Sequence, residues 1–311
     1  MERFDYSPSK WVPYKNKELL EKARRIKRGD MCNHPNPDFK IKVVRDSDVE
    51  LIWVADMFYR IKKAADENKK IVMILPNPAH CYRKVAYLIN KFQVNCKNLY
   101  TFNMDEYADE NGNIAPESYP QSFMRSLKQY FYYQIDKDLR PDEKNIQTPT
   151  NNNIKDYSKM IQEHGGADIC YSGPGWTGHL AFIEPDAPEF SAKSLEEWKD
   201  MGARIVTLSP FTIAQNSLHG SFGMSGDLAL VPPRAATIGP KDVIGAKHRI
   251  DIHALSVCGT AVSWQRLATR LCLHGEITPL VPQSILQTLR TDVYVSETIA
   301  SDIENNWETG Y

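Results

Sequence analysis

Two polar segments of the sequence carry side chains that could move protons, and each follows a short apolar run. Asp105 follows the run from 99 to 104, and His179 and Glu184 lie in a glycine-rich segment from 173 to 185. A histidine gains and loses a proton near neutral pH, and a nearby carboxylate can orient its ring and stabilise its cation. Asp105 would supply a second, independent base. We therefore predict a catalytic site that contains Asp105, His179 and Glu184.

Spacing alone leaves other interpretations of these segments open. His179 would then be a hydrogen-bonded turn histidine, and Asp105 would cap the N-terminus of a helix. Residues 173–178 also spell G-x-G-x-x-G after a predicted strand, a pattern typical of dinucleotide sites in which the next helix receives the pyrophosphate. Pro185 follows too soon for that helix, so we favour a turn whose glycines let the backbone pass close to a small ligand.

Apolar runs and helical periodicity alternate through most of the chain. The apolar run 71–75 lies between two lysines and the tripeptide Pro-Asn-Pro, as expected of a strand buried on both faces. The predicted helices cover about 49–67, 85–92, 123–131, 154–161 and 261–273, and the predicted strands 71–75, 99–104, 167–172, 204–208, 252–257 and 292–295. This alternation predicts an α/β fold with a doubly wound, mainly parallel sheet and helices on both faces. Residues 1–40 are predicted to be a surface extension, and 41–311 a single domain.

Ligands of such sheets bind beyond the carboxyl ends of the strands, so residues that directly follow strands are candidates for substrate binding. The candidates near the proton carriers are Asn77, His80, Asn103, Glu106, Gly175, Thr177 and Gly178. The strand-to-helix turn 257–261 is a further candidate for pocket lining. Cysteine and histidine adjoin at 32–34 and 80–81, but neither pair offers four ligands at zinc spacing. We predict no metal and no cofactor.

Bulk composition excludes several classes of partner. Lysine and arginine number 38 against 39 acidic residues, so the chain has no basic footprint for nucleic acid. No apolar stretch approaches the roughly 20 residues that cross a bilayer, and the N-terminus has no secretory signal layout. Six cysteines without a C-x-x-C pair are typical of reduced thiols, so we expect a cytoplasmic protein.

Two blocks of the sequence resemble the glucosamine-6-phosphate deaminase family. Residues 102–107, continued at 116–119 and 122–124, are similar to that family's F-N-M-D-E-Y, P-E-S-Y and S-F-M, and 178–185 to its G-H-I-A-F-N-E-P. Weaker matches extend the resemblance over roughly 45–300. It implies an aldose–ketose isomerisation of a small sugar derivative, in which Asp105 would shuttle a proton between adjacent carbons. His179 would assist ring opening, with Glu184 tuning it, and self-association of the chain stays open.

The chain departs from the family where a phosphate would bind. Asn-Pro-Ala-His-Cys at 77–81 replaces a glycine-rich turn, and Pro233 replaces the lysine that follows Val-Pro. Proline removes an N–H donor, and a turn without glycine wraps an anion less closely. We therefore expect altered or absent recognition of a 6-phosphate. His80 and Arg234 would be compensating anion ligands, or simply solvated charges.

Thr177 stands where the family has an aspartate beside the histidine. Two functions follow from this departure. The first is an isomerase or deaminase-type enzyme on an amino sugar or related derivative. The second is a sugar-binding regulatory protein that kept the pocket and lost turnover. Retention of Asp105, His179 and Glu184 together favours the enzyme.

Overall fold

The computed structural model describes residues 6–254, 256–257, 260–261 and 265–305. Its α-helices are α1 (Lys17–Arg25), α2 (Val49–Asp66), α3 (Tyr82–Lys91), α4 (Phe123–Tyr130), α5 (Tyr157–Glu163), α6 (Leu195–Lys199), α7 (Pro210–Ser217), α8 (Pro240–Ile244), α9 (Gln265–His274) and α10 (Glu297–Ala300). Its strands are β1 (Phe39–Val44), β2 (Ile71–Leu75), β3 (Leu99–Asn103), β4 (Asp105–Ala108), β5 (Ile146–Gln147), β6 (Ile169–Ser172), β7 (Arg204–Thr207), β8 (Arg234–Thr237), β9 (Arg249–His253), β10 (Ser256–Val257), β11 (Thr260–Ala261) and β12 (Thr291–Ser296). Cys258 and Gly259 of the predicted lining turn lie outside the described residues.

The main sheet has seven strands in the order β1-β12-β9-β6-β2-β3-β5, and every neighbouring pair is parallel. From β2 the chain proceeds through β3 to β5 at one edge, whereas β6, β9 and β12 extend the sheet in the other direction. The direction therefore reverses at the β2–β6 pair, and such a switch point opens a crevice at the carboxyl ends of the strands. The predicted doubly wound, mainly parallel sheet is confirmed.

Helices cover both faces of this sheet because its central strand β2 is apolar at every position. All five residues of β2 are buried. Met73 and Leu75 pack in a cluster with side chains of α2 and α3, whereas Val72 and Ile74 point to the other face and pack with α5 and α8. Alternate side chains of a strand point to opposite faces, so a run without polar residues requires cover on both sides.

A second, three-stranded antiparallel sheet has the order β4-β8-β7. Segment 204–208 was predicted as one strand of the alternating parallel sheet, and its strand instead belongs to this small sheet. The small sheet is joined to the main one at Met104, whose N–H donates to Leu75 and whose carbonyl accepts from Ile238. These two bonds set β4 against the carboxyl edge of β2 and β3.

The N-terminal segment packs on the domain. Tyr14 and Ala23 are buried in a cluster with Leu271 and Cys272 of α9, and Arg270 donates from Nε to the carbonyl of Ile26. Strand β1 begins at residue 39 and completes one edge of the main sheet beside β12. The sequence analysis did not predict this strand, although Phe-Lys-Ile-Lys alternates as an edge strand should. Within the described ranges, no helix is long and apolar enough to cross a membrane.

Candidate active site

Asp105 is the first residue of β4, one residue beyond the end of β3. Its residue surface is 7% exposed, and no hydrogen bond from a described residue reaches its carboxylate. Burial, together with the neighbouring carboxylate of Glu106, raises the pKa of Asp105 well above its ordinary value. The residue begins a strand, so it is not a helix N-cap. An unpartnered carboxyl with a raised pKa is suited to take up and release a proton.

His179 is anchored through one ring nitrogen. Its Nδ1 lies 3.0 Å from Thr212 Oγ1, 3.4 Å from Glu184 Oε2 and 3.5 Å from Thr177 Oγ1. Its Nε2 has no hydrogen bond within the described chain and lies against Gly175, where an added β-carbon would be 1.9 Å from Nε2. The ring therefore presents Nε2 as the atom that can exchange a proton.

Glu184 is buried beside the histidine. Burial would by itself raise the pKa of Glu184, but His179, the Thr212 hydroxyl and the Ser209 amide together lower it below the ordinary value. The Ser209 N–H donates to Oε1 over 3.4 Å, whereas Oε2 forms no hydrogen bond and makes the ion-pair contact with Nδ1. Glu184 thus stays ionised and favours a positive charge on the imidazole.

Two residues connect Asp105 with His179. Thr237 pairs with Asp105 across β8 and β4, and its Oγ1 accepts from the Phe182 N–H over 3.2 Å. The Phe182 ring lies 6.3 Å from the His179 ring, centroid to centroid. Asp105 and His179, the two predicted proton carriers, follow β3 and β6, and these strands flank β2 at the switch point of the sheet. The structure therefore brings Asp105, His179 and Glu184 to one edge.

Asn77 and Asn103 meet at the ends of β2 and β3. Asn77 donates from Nδ2 to Asn103 Oδ1 over 3.0 Å, and Asn103 donates from Nδ2 to Thr148 Oγ1 over 3.4 Å. The Oδ1 of Asn77 is buried without a hydrogen-bond partner. A buried acceptor without a donor is costly, so a ligand hydroxyl or amine would find a partner here.

The glycine-rich segment is a turn without a following helix. Gly178 has φ +77°, and its carbonyl accepts from the Gln283 N–H over 2.9 Å. The chain then continues through a bridge between Leu180 and Ile183, and the next α-helix begins at Leu195. The dinucleotide interpretation requires a helix N-terminus directly after the glycines, and the structure has none at that place.

Glu106 does not face this site. Its Oε1 accepts from the N–H groups of Tyr107 and Phe123, and its Oε2 accepts from Ser122 Oγ and the Met124 N–H. All four donors belong to β4 or to the start of α4. The predicted substrate-binding role is therefore corrected, because this carboxylate holds the N-terminus of α4, where backbone donors lack helical partners.

The two predicted anion ligands are separate from the proton carriers. Arg234 lies at the start of β8, three residues before Thr237, hence about 10 Å along the strand from the position beside Asp105. Its Nη2 lies 3.8 Å from Glu189 Oε1. His80 is exposed in the turn before α3. The structure thus does not bring Arg234 to Asp105, since its guanidinium neutralises Glu189 instead.

The inner face of α7 carries residues that the sequence analysis missed. Besides Thr212, Gln215 accepts at Oε1 from the Trp176 N–H over 2.9 Å, and Asn216 donates from Nδ2 to the Tyr107 hydroxyl over 3.0 Å. The helix begins with a Ser-Pro N-cap and N1 pair, in which Ser209 Oγ accepts from the Thr212 N–H. A serine followed by a proline predicts the start of a helix. The sequence does not predict which face of this helix turns toward the site.

Phe211 of α7 packs against two tryptophan rings. Phe211 precedes Thr212, and its ring is 6.1 Å from that of Trp176 and 5.5 Å from that of Trp11. Trp11 is 63% exposed and comes from the N-terminal segment. A cavity of about 410 Å³ adjoins Glu184 on another side and is not lined by Asp105 or His179. Among the described residues, no three His, Cys, Asp or Glu side chains cluster as a metal site would require.

No protein-family model matches the chain. Known proteins do: a glucosamine-6-phosphate deaminase of Clostridium botulinum is 33% identical over 251 residues, which cover 75% of this chain and 89% of that protein. A glucosamine-6-phosphate deaminase of Phocaeicola vulgatus is 28% identical over 276 residues, covering 84% and 93%. The chain belongs to the glucosamine-6-phosphate deaminase family.

Two solved structures share the fold of this chain. A monomeric glucosamine-6-phosphate deaminase superposes with a TM-score of 0.69 at 20% identity, and the superposition covers 84% of this chain and 99% of that protein. A 6-phosphogluconolactonase of Thermotoga maritima superposes with a TM-score of 0.55 at 15% identity, covering 82% and 98%. As a member of the deaminase family, the chain is a relative of enzymes that act on sugar phosphates.

The departure at Thr177 is visible in the surroundings of the histidine. Where the deaminase family has a carboxylate, this chain places a neutral hydroxyl 3.5 Å from Nδ1. A second hydroxyl, from Thr212, is closer. One carboxylate, that of Glu184, therefore remains to stabilise a protonated imidazole in this family member.

Proposed function

We propose that the chain catalyses the aldose–ketose isomerisation of an amino sugar with release of the amine, using Asp105 and His179 as proton carriers. The observation that carries the proposal is a pair of unpartnered groups at one edge of the sheet. The Asp105 carboxylate and His179 Nε2 accept no hydrogen bond from the described residues. Groups that exchange protons with a substrate need this freedom.

The chemistry needs few groups. His179 Nε2 transfers the proton that opens the sugar ring, and Glu184 stabilises the imidazolium that forms. Asp105 then takes a proton from C2 of the open chain and returns it to C1, while a proton passes from the C2 amine to the aldehyde oxygen O1. The aldehyde thereby becomes a primary alcohol, and C2 becomes an imine. Water adds at C2, ammonia leaves, and a ketose remains. Enclosure of both carriers at fixed geometry supplies rate through positioning.

Recognition of the non-reacting end of the sugar is proposed to differ from that of the phosphate-binding relatives. Residues 77–81 contain a proline and no glycine, and the Asn77 amide bonds to Asn103. Pro233 has no N–H and no charge, and its carbonyl accepts from Leu208. Arg234 faces Glu189. These contacts support a site with altered or absent 6-phosphate binding.

The test is a turnover screen of glucosamine 6-phosphate, glucosamine and the corresponding ketoses, with ammonia and ketose measured together. We expect turnover that Asp105→Asn abolishes. Micromolar calorimetric binding of glucosamine 6-phosphate would contradict the altered phosphate recognition while leaving the isomerase proposal intact.

A sugar-binding regulatory protein is the second candidate. The neutral hydroxyl of Thr177 beside Nδ1 favours it, because the imidazole has lost one stabilising charge. Binding of a sugar without turnover, unchanged in Asp105→Asn, would support this candidate and exclude the enzyme.

A further inference from the structure

His219 carries a buried ring nitrogen that forms no hydrogen bond with the part of the chain that the structure describes. It lies just beyond the end of α7, where its N–H donates to the Asn216 carbonyl over 2.9 Å and its carbonyl accepts from Phe222 and Met224. Its Nε2 is buried without a hydrogen-bond partner among the described residues. Buried polar atoms are nearly always bonded. A buried nitrogen without a hydrogen-bond partner beside a candidate active site suggests that a bound ligand supplies that partner.

The position of His219 relates it to the proton carriers. Thr212, Asn216 and His219 follow one another at i, i+4 and i+7, so they share one face of α7 and its continuation. Thr212 contacts His179 Nδ1, and Asn216 bonds to Tyr107. Seven residues of helix rise about 10 Å. His219 therefore lies on the same helix face as Thr212, which orients His179, and about 10 Å further along that face.

The surroundings of His219 favour a neutral ring. Burial, and next the charge of His179, lower the pKa of His219. A neutral imidazole nitrogen pairs with a hydroxyl. A phosphate dianion in the same buried place would need cations or backbone donors. The guanidinium of Arg234 lies against Glu189, and residues 77–81 contain a proline and no glycine.

We propose that His219 Nε2 binds the terminal hydroxyl of an unphosphorylated amino sugar whose C1 and C2 lie at Asp105 and His179. His219 would then be the residue that selects a free hydroxyl at the non-reacting end. The inference rests on the proposed function for the placement of the sugar, but its test is a binding measurement and does not require turnover.

The test uses full-length protein with Asp105→Asn, so that the ligand stays intact. Calorimetry compares glucosamine with 6-deoxyglucosamine, which lacks the hydroxyl in question. We expect the Asp105→Asn protein to bind glucosamine at least about tenfold more tightly than 6-deoxyglucosamine, since loss of a buried hydrogen bond leaves its partner unpaired. In His219→Phe this preference should disappear, and His219→Gln, which keeps a polar atom at a similar distance, should restore part of it.

His164→Phe is the control, because that histidine packs against Tyr100 and Phe102 away from α7. It should leave the preference unchanged. A preference that survives in His219→Phe, equal binding of both sugars to the Asp105→Asn protein, or binding of neither sugar would overturn the inference. Absence of turnover in the wild-type protein, with the sugar preference present in binding, would instead reject the proposed catalysis and leave His219 as a specificity residue.

Discussion

The imidazole of His179 lies on the α-carbon of Gly175, so closely that a β-carbon on Gly175 would be 1.9 Å from Nε2 and 2.0 Å from Cε1. The contact explains why this position carries a glycine. Any larger residue would displace the ring from Thr212 and Glu184, which hold Nδ1 on its other side. The glycine thus permits a ring orientation in which one nitrogen is anchored and the other is free.

Gly175→Ala should therefore reduce activity while leaving the protein folded. We expect kcat/KM to fall about 100-fold, because a displacement of about 1 Å in a catalytic group can cost that much. Steady-state kinetics together with thermal melting separates this loss from unfolding. Gly29→Ala is the matched control, since nothing lies within 4 Å of a β-carbon at that position. Equal activity in both variants would contradict the role of the contact.

Asp105→Asn should have opposite effects on activity and stability. Loss of a general base lowers kcat by about 100- to 10,000-fold. Because the pKa of Asp105 is raised in the folded protein, its ionisation opposes folding as the pH rises above the ordinary carboxyl value of about 4. The variant should be more stable at pH 7 by about 1–3 kcal/mol in the free energy of unfolding.

Chemical denaturation at a series of pH values checks this sign. The stability gain of Asp105→Asn should shrink as the pH falls toward about 4, where the wild-type carboxyl is protonated in both states. A gain that is independent of pH would show that it does not come from the ionisation of Asp105, and a loss at pH 7 would show that the carboxylate has a stabilising partner in solution.

Thr177→Asp should raise activity if the proposed chemistry holds. A carboxylate at this position would join Glu184 within a few ångströms of Nδ1 and stabilise the positive charge that the ring carries during proton transfer. We expect kcat/KM in steady-state kinetics to rise about tenfold, which corresponds to about 1.4 kcal/mol. Thr177→Asn has a similar shape without the charge, and a rise of the same size in that variant would argue against an electrostatic cause.

Glu106→Gln should weaken the fold more than the chemistry. The four donors around Glu106 require an acceptor at both oxygens, and an amide would turn its NH₂ toward two of them. We expect a loss of about 1–3 kcal/mol in the free energy of unfolding. The loss of kcat should be much smaller than in Asp105→Asn. A comparable loss of kcat in the two variants would show that Glu106 acts in the site and not only in the fold.

The amino-acid sequence by itself predicted most strands of the main sheet and the residues that we propose as proton carriers. The all-apolar run of β2 and the helical spacing after it predict a strand covered on both faces, because the local pattern of apolar residues indicates which side chains are buried. Asp105 and His179 follow such strands, and parallel strands place their carboxyl ends at one edge. Two family blocks then assigned the chemistry to these positions.

The tertiary structure alone decided what neighbouring polar residues do. Asp105 and Glu106 are adjacent, yet one carboxylate lacks donors and the other accepts four, because the start of α4 lies beside only the second. Thr212 and His219 are distant in sequence from His179, and their importance depends on which face of α7 turns inward. The periodicity of a segment predicts which of its side chains are buried. The hydrogen-bond partners of those side chains come from other segments of the chain, so only the tertiary structure shows them.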